Sequence, residues 1–122
     1  AFGIATPTDI LSPPHHGRSA EVFDGPLARQ SQVIFHAERP GPPLLLLQGG
    51  ADRTIGPEQG EALARRRREA GHPVSLITYE GLGHLGILAR LAAPLRESGP
   101  PVLDDIAAFV KGAGLPAGPT AR

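Results

Sequence analysis

The feature that most constrains this chain is a run of four leucines, Leu44-Leu45-Leu46-Leu47. Pro42 and Pro43 precede it and Gln48-Gly49-Gly50-Ala51-Asp52 stop it. A short apolar run bracketed by chain-breaking residues is expected for a strand buried on both faces, as in a parallel sheet with helices on each side. A buried helix would need a longer run than Pro43 and Gly49 leave room for. Proline just ahead of a strand removes no donor from the ladder. A second unit repeats the grammar: Val74 to Tyr79, then Glu80-Gly81-Leu82-Gly83-His84. Its Val74, Leu76 and Thr78 alternate with Ser75, Ile77 and Tyr79, which suits a strand nearer the sheet edge.

Between the two units the pattern predicts a helix over Pro57 to Ala70. Pro57 fits the first helical position, Glu58 and Glu61 favour the positive N-terminal end, and Gly71 fits the stop. Glu61–Arg65 and Arg65–Glu69 lie four apart and can pair along one face. Strand, helix and strand joined by short loops predict two parallel strands linked by a right-handed crossover. Beyond His84, Leu85, Leu88, Leu91 and Ala92 recur at helical spacing up to Pro94. A further helix is expected from about Pro101 to Lys111, with Val102, Ile106, Phe109 and Val110 as its apolar stripe. The fold class is therefore α/β. Residues 1–40 form a loop-rich segment cut by Pro7, Pro13, Pro14, Pro26 and Pro40, in which Leu27 to Ala37 is open to a helix or a short strand. Residues 41–112 form the α/β unit, and residues 113–122 a Pro/Gly tail expected to fray.

Composition narrows the function classes. Twelve basic and 12 acidic side chains cancel, so long-range attraction to nucleic acid or an acidic membrane is not expected. No stretch is apolar for long enough to span a bilayer, and no signal peptide opens the chain. With no cysteine, disulfides and thiolate chemistry are excluded. The compartment stays open, with the cytoplasm slightly favoured. No methionine occurs, so Ala1 is not a translation start and a processed or longer parent chain is expected. The pair His15-His16 invites a metal reading. Adjacent histidines diverge on a strand or helix, though, and no cysteine or spaced carboxylate joins them, so exposed loop histidines are expected and no metal or cofactor is assigned. Arg65-Arg66-Arg67-Arg68 spreads around most of a helix and is expected to form its solvated face near the negative C-terminal end.

Asp52 and His84 each sit just past the carboxyl end of a predicted parallel strand, where open α/β sheets bind their ligands. If the strands are neighbours, the loops meet. A histidine there can take a proton from a nucleophile and hand it to a leaving group. It needs a buried carboxylate on its other nitrogen to hold its tautomer and stabilise the imidazolium. Asp52 and His84 are the candidate catalytic residues, with Gly49, Gly50, Gly81 and Gly83 permitting the tight turns around them.

Residues 43 to 58, Pro-Leu-Leu-Leu-Leu-Gln-Gly-Gly-Ala-Asp-Arg-Thr-Ile-Gly-Pro-Glu, resemble the acid-loop segment of the α/β-hydrolase superfamily. Val74 to His84, with Tyr79-Glu80-Gly81-Leu82-Gly83-His84, resembles its histidine loop. The 31 residues between Asp52 and His84 hold one helix and one strand, as in that family. His84-Leu85-Gly86-Ile87 and the closing helix are similar to the carboxylesterase-like branch. The resemblance covers about residues 40 to 112. It implies that Asp52 is the triad acid and His84 the general base, in the family order of serine, acid, histidine.

The family's Gly-x-Ser-x-Gly elbow does not occur. Ser12, Ser19, Ser31, Ser75 and Ser98 lack that frame, and Ser19, in Gly17-Arg18-Ser19-Ala20-Glu21, matches only the first glycine. The resemblance therefore implies the C-terminal portion of an incomplete α/β-hydrolase sheet. Nucleophile and oxyanion donors would lie in a missing N-terminal half, and the chain by itself would be inactive. The parent reaction implied is hydrolysis of a small-molecule carboxylic ester through an acyl-serine intermediate, without cofactor. The alternatives are a serine peptidase of the prolyl-oligopeptidase type, or a non-catalytic interaction module built on a hydrolase scaffold. Two strands alone would leave the leucine strand with a bare apolar edge, so the isolated chain is expected to be partly folded or self-associating. Leu82, Leu85 and Ile87 beside His84 suggest an apolar acyl site.

Overall fold

The computed structural model describes residues 1–9, 25–92, 99–112 and 118–122. The sequence expectation for His15 and His16 lies outside them. Strand β1 is Phe2–Ile4, β2 is Leu44–Gly49, helix α1 is Pro57–Glu69, β3 is Val74–Tyr79, α2 is His84–Ala89, α3 is Val102–Val110 and β4 is Gly118–Ala121. Arg29–Ser31 and Val33–His36 are short 3-10 turns, so the stretch from Leu27 to Ala37 is neither one helix nor a strand.

The leucine strand organises both cores. Leu45, Leu46 and Leu47 are each at most 5% exposed, and burying such a side chain contributes about 1.5–3 kcal/mol. Because side chains alternate along a strand, Leu45 and Leu47 face one layer, where Ile77, Tyr79, Ile87, Val102 and Ile106 close around them. Leu46 faces the other layer with Leu76, Val74, Leu63, Ala64, Ile34 and Ala37. Helices α2 and α3 thus cover one face of the sheet, and α1 with the 3-10 turns covers the other.

All strand pairs are parallel, in the order β1-β2-β3-β4. The β2–β3 register runs from Leu44 opposite Val74 to Gly49 opposite Tyr79. The two outer strands correct the sequence reading. Phe2–Ile4 is a strand inside the segment read as loop-rich, and its edge pairs with Leu45 to Leu47. Gly118–Ala121 is a strand inside the tail read as frayed. The end of the chain is held because the Arg122 N–H donates to Thr78 O (2.8 Å) and Arg122 O accepts from the Glu80 N–H (2.7 Å). The leucine strand therefore has a neighbour on each side, and the bare edge expected beside it is not there. Among the described residues, the outer strands of the sheet are β1 and β4.

Segment 1–9 is tied to α1 by one glutamine. Gln59 Oε1 accepts from the Thr8 and Asp9 N–H groups, and its carbonyl accepts the Thr8 hydroxyl. Two further expectations change. Arg65, Arg66 and Arg68 are exposed, but Arg67 is buried and reaches the carbonyls of Ala37 and Pro42. It occupies the helix face of Leu63 and Ala64, one turn further on, so its guanidinium replaces an apolar side chain there. On α2 the Leu85–Leu88–Leu91 stripe faces outward, with Leu85 78% exposed, and Ile87 points into the core instead. Val110, expected in the apolar stripe of α3, is likewise exposed.

Candidate active site

The β2–β3 ladder carries on past the strand ends. The Gly50 N–H donates to Tyr79 O at 2.9 Å, and the Ala51 N–H donates to Leu82 O at 3.0 Å. Between these contacts the histidine loop turns back over Tyr79-Glu80-Gly81-Leu82, closed by Leu82 N–H to Tyr79 O at 3.3 Å. Gly81 has φ of +71°, the left-handed conformation that side chains resist at this position of a turn. Asp52 is the residue after Ala51, and His84 is two residues after Leu82. Each of the two candidate side chains thus follows closely on a hydrogen-bonded backbone rung.

Helix α2 sets the aim of His84. His84 opens the helix, and the Ile87 N–H donates to Gly83 O at 3.0 Å. Residues three apart share a helix face, so the burial of Ile87 against the sheet turns His84 toward the same side. His84 Nδ1 lies 2.9 Å from Asp52 Oδ2. The other carboxylate oxygen, Oδ1, accepts the N–H groups of Thr54 (2.8 Å) and Ile55 (2.9 Å). Sequence reasoning missed these two donors; the signal was an aspartate followed two residues later by threonine, a pattern suited to an Asx turn.

The electrostatics follow from those contacts. The Asp52 side chain is 2% exposed and that of His84 27%. Burial pushes the Asp52 carboxyl up, but the Ile55 N–H, the His84 ring and the Thr54 N–H outweigh it and hold the carboxyl below its ordinary range. As a carboxylate Asp52 can only accept, so His84 Nδ1 donates to it, and in the neutral imidazole the lone pair is then on Nε2. That tautomer is competent to take a proton from a hydroxyl or a water.

The structure brings Asp52 and His84 together and sorts their apolar neighbours. Ile87 is fully buried and Leu82 packs on the core, leaving Leu85 as the exposed one of the three. Ser31 is exposed and donates to Ala28 O. Ser75 lies near the start of β3, roughly 13 Å along the strand from the end that leads to His84. Ser12, Ser19 and Ser98 lie outside the described residues. Among the described residues, no group of three or more His, Cys, Asp or Glu is arranged to hold a metal ion, and no helix is long and apolar enough to cross a membrane.

In the layer covered by α3, a second polar network joins the sheet to that helix. The Tyr79 hydroxyl, fully buried, donates to Asp105 Oδ2 at 2.6 Å, and Arg122 lies 3.2 Å from Asp105 Oδ1. Burial and the Asp105 carboxylate push the Tyr79 phenol well above its ordinary value.

The parallel sheet covered on both faces is an α/β-hydrolase-like fold, as comparison with solved structures shows. The chain is similar to a puromycin-hydrolyzing peptidase of Mycobacterium tuberculosis, with 25% identity over 78% of this chain and 13% of that one, at a TM-score of 0.53. It is also similar to esterase 2 of Thermogutta terrifontis in its tabun-phosphoramylated and propionate-bound forms. For both, identity is 22% over 94% of this chain, at a TM-score of 0.59, covering 41% and 43% of the esterase chains respectively. The chain thus spans less than half the length of the esterases, and the likeness covers part of their fold. No protein-family model and no curated protein matches the chain.

Proposed function

We propose that Asp52 and His84 are the acid and the general base of a serine-type hydrolysis of carboxylic esters, carried out by a domain of which this chain supplies the C-terminal part. The observation that carries this reading is the pairing itself. A buried carboxylate has one oxygen on two backbone N–H groups and the other on a histidine Nδ1 at 2.9 Å. A histidine so held is oriented with Nε2 free to accept a proton.

In this mechanism a serine hydroxyl outside the Asp52–His84 unit attacks the ester carbonyl. His84 Nε2 takes the hydroxyl proton and delivers it to the departing alcohol. An acyl-serine forms, a water deprotonated by the same nitrogen attacks its carbonyl, and His84 returns that proton to the departing serine oxygen as the acid is released. Asp52 keeps the ring in its tautomer and balances the imidazolium charge. The 122 residues alone lack a serine in an elbow frame and are inactive in this reading. The Thermogutta esterase observed with propionate supports a short acyl group.

The test is to express the reading frame containing Ala1 to Arg122, together with its upstream coding sequence, and assay short-chain p-nitrophenyl esters. His84→Ala is expected to lower kcat by roughly 10⁴-fold or more with the protein still folded. Full turnover by that variant would overturn the assignment. A peptidase reading has one observation in its favour, the likeness to the puromycin-hydrolyzing enzyme. Cleavage of an aminoacyl amide in preference to esters by the same protein would select it.

A further inference from the structure

Gly49 is buried at the last position of β2, opposite Tyr79. A methyl group built on its Cα would overlap the Leu82 carbonyl oxygen and lie 2.9 Å from the Leu82 carbonyl carbon. The histidine loop rests directly on this glycine, backbone against backbone. The same Leu82 carbonyl accepts the Ala51 N–H at 3.0 Å, the last rung before Asp52.

We infer that Gly49 is a positioning residue. By leaving room for the Leu82 carbonyl over the end of β2, it allows the Ala51–Leu82 rung to form, and that rung sets the separation of Asp52 and His84. The backbone atom has nowhere to go, because Leu82 N–H is bonded to Tyr79 O and Leu82 packs on the core. A side chain at 49 would lift the loop by about the radius of a methyl group. A displacement of that size breaks a hydrogen bond of 2.9 Å. Gly50 differs. A methyl group there meets its nearest neighbour, the Glu80 carboxylate at the end of a flexible side chain, at 3.2 Å, and the residue is exposed. Gly81 differs again, serving the turn through its positive φ and having open space around it.

The inference builds on the proposed role of Asp52 and His84, but its test reads the pair itself and does not depend on ester turnover. Proton NMR of the 122-residue chain at neutral pH reports a His Nδ1–H bonded to a carboxylate as a low-field resonance, assigned by its loss in His84→Gln. That resonance is expected in the wild type and in Gly50→Ala, and lost in Gly49→Ala while the far-ultraviolet circular dichroism is kept. Retention in Gly49→Ala, loss in both glycine variants, or absence from the wild type would each overturn the inference. Should Gly49→Ala fail to fold, amide exchange in the wild type decides. An Ala51 N–H protected as well as the Gly50 N–H supports the clamp, and an Ala51 N–H exchanging like a free amide overturns it. Failure of the hydrolase reading would show instead as an intact resonance in an expressed domain that cleaves no ester.

Discussion

Replacing Asp52 with asparagine and with alanine separates two jobs done by one carboxylate. Oδ1 holds the turn through Thr54 and Ile55, and Oδ2 holds His84. Alanine removes all three contacts at a site where the side chain is 2% exposed, leaving two backbone donors without their acceptor. A hydrogen bond to a charged group contributes about 1.5–3 kcal/mol, and a stranded buried donor costs about 1–3 kcal/mol. Water reaching the part-buried Thr54 and Ile55 amides offsets some of this, so Asp52→Ala is expected to cost about 3–4 kcal/mol. Asparagine keeps a carbonyl oxygen for both N–H groups, weakens them from charged to neutral, and presents an amide N–H₂ to His84 Nδ1. It is expected to cost only about 1–2 kcal/mol. The same change forces the lone pair onto Nδ1 and the proton onto Nε2, the wrong tautomer for a base. Urea denaturation of wild type and both variants at neutral pH measures the two costs. The pH dependence gives an independent check. The Asp52 carboxyl is held below its ordinary value in the folded state, so the unfolded chain takes up the proton first. Its stabilisation is complete above about pH 4, where the unfolded carboxyl is ionised, and is lost as pH falls through the lower folded value. The gap between wild type and Asp52→Asn therefore closes in acid. Equal costs for the two variants, or a gap that stays constant down to acid, would refute this division of labour.

Two further outcomes follow from the buried polar groups away from the site. The Tyr79 phenol is raised in the folded state, so folding favours the protonated form. Stability is therefore expected to be level below about pH 10 and to fall above it; Tyr79→Phe should remove that alkaline slope, as read from urea midpoints across the range. Arg67 bridges Ala37 O and Pro42 O from within the helix face. Arg67→Ala is expected to cost about 2–3 kcal/mol and Arg67→Lys about 1 kcal/mol, because a single ammonium does not span both carbonyls. Arg65→Ala should fall within about 0.5 kcal/mol of wild type.

The interior of this fold was legible because its elements carry their own signals. The leucine run, the Pro57–Gly71 punctuation and the alternation of Val74 to Tyr79 each declare an element without outside help. β1 and β4 do not. Phe2-Gly3-Ile4 is only three residues long with a glycine at its centre, Gly118-Pro119-Thr120-Ala121 carries both Gly and Pro, and each is a strand because the edge of β2 or β3 offers it backbone partners. Arg67 was hidden in a run of identical residues. Its position four after Leu63 and three after Ala64 was the available signal, and charge argued against reading it. Around the candidate site, Asp52 and His84 were visible as residue types at strand ends. The contact of Gly49 with Leu82 was not, because backbone groups leave no letter in a sequence, and the Thr54 and Ile55 donors were signalled only by the turn-forming aspartate itself. The Leu85–Leu88–Leu91 stripe misled for a related reason: α2 takes its orientation from Ile87 and the loop before it.

One consequence of the parallel register concerns heat. Asp52 and His84 hang just past the ends of adjacent strands, spaced by the Ala51–Leu82 hydrogen bond, which extends the β2–β3 ladder by one rung. Loosening of that rung on warming is coupled to opening of the ladder that it extends. The pair should therefore keep its geometry up to the melting of the β2–β3 ladder and then lose it in the same transition, with no intermediate temperature at which the scaffold stands and the contact is gone.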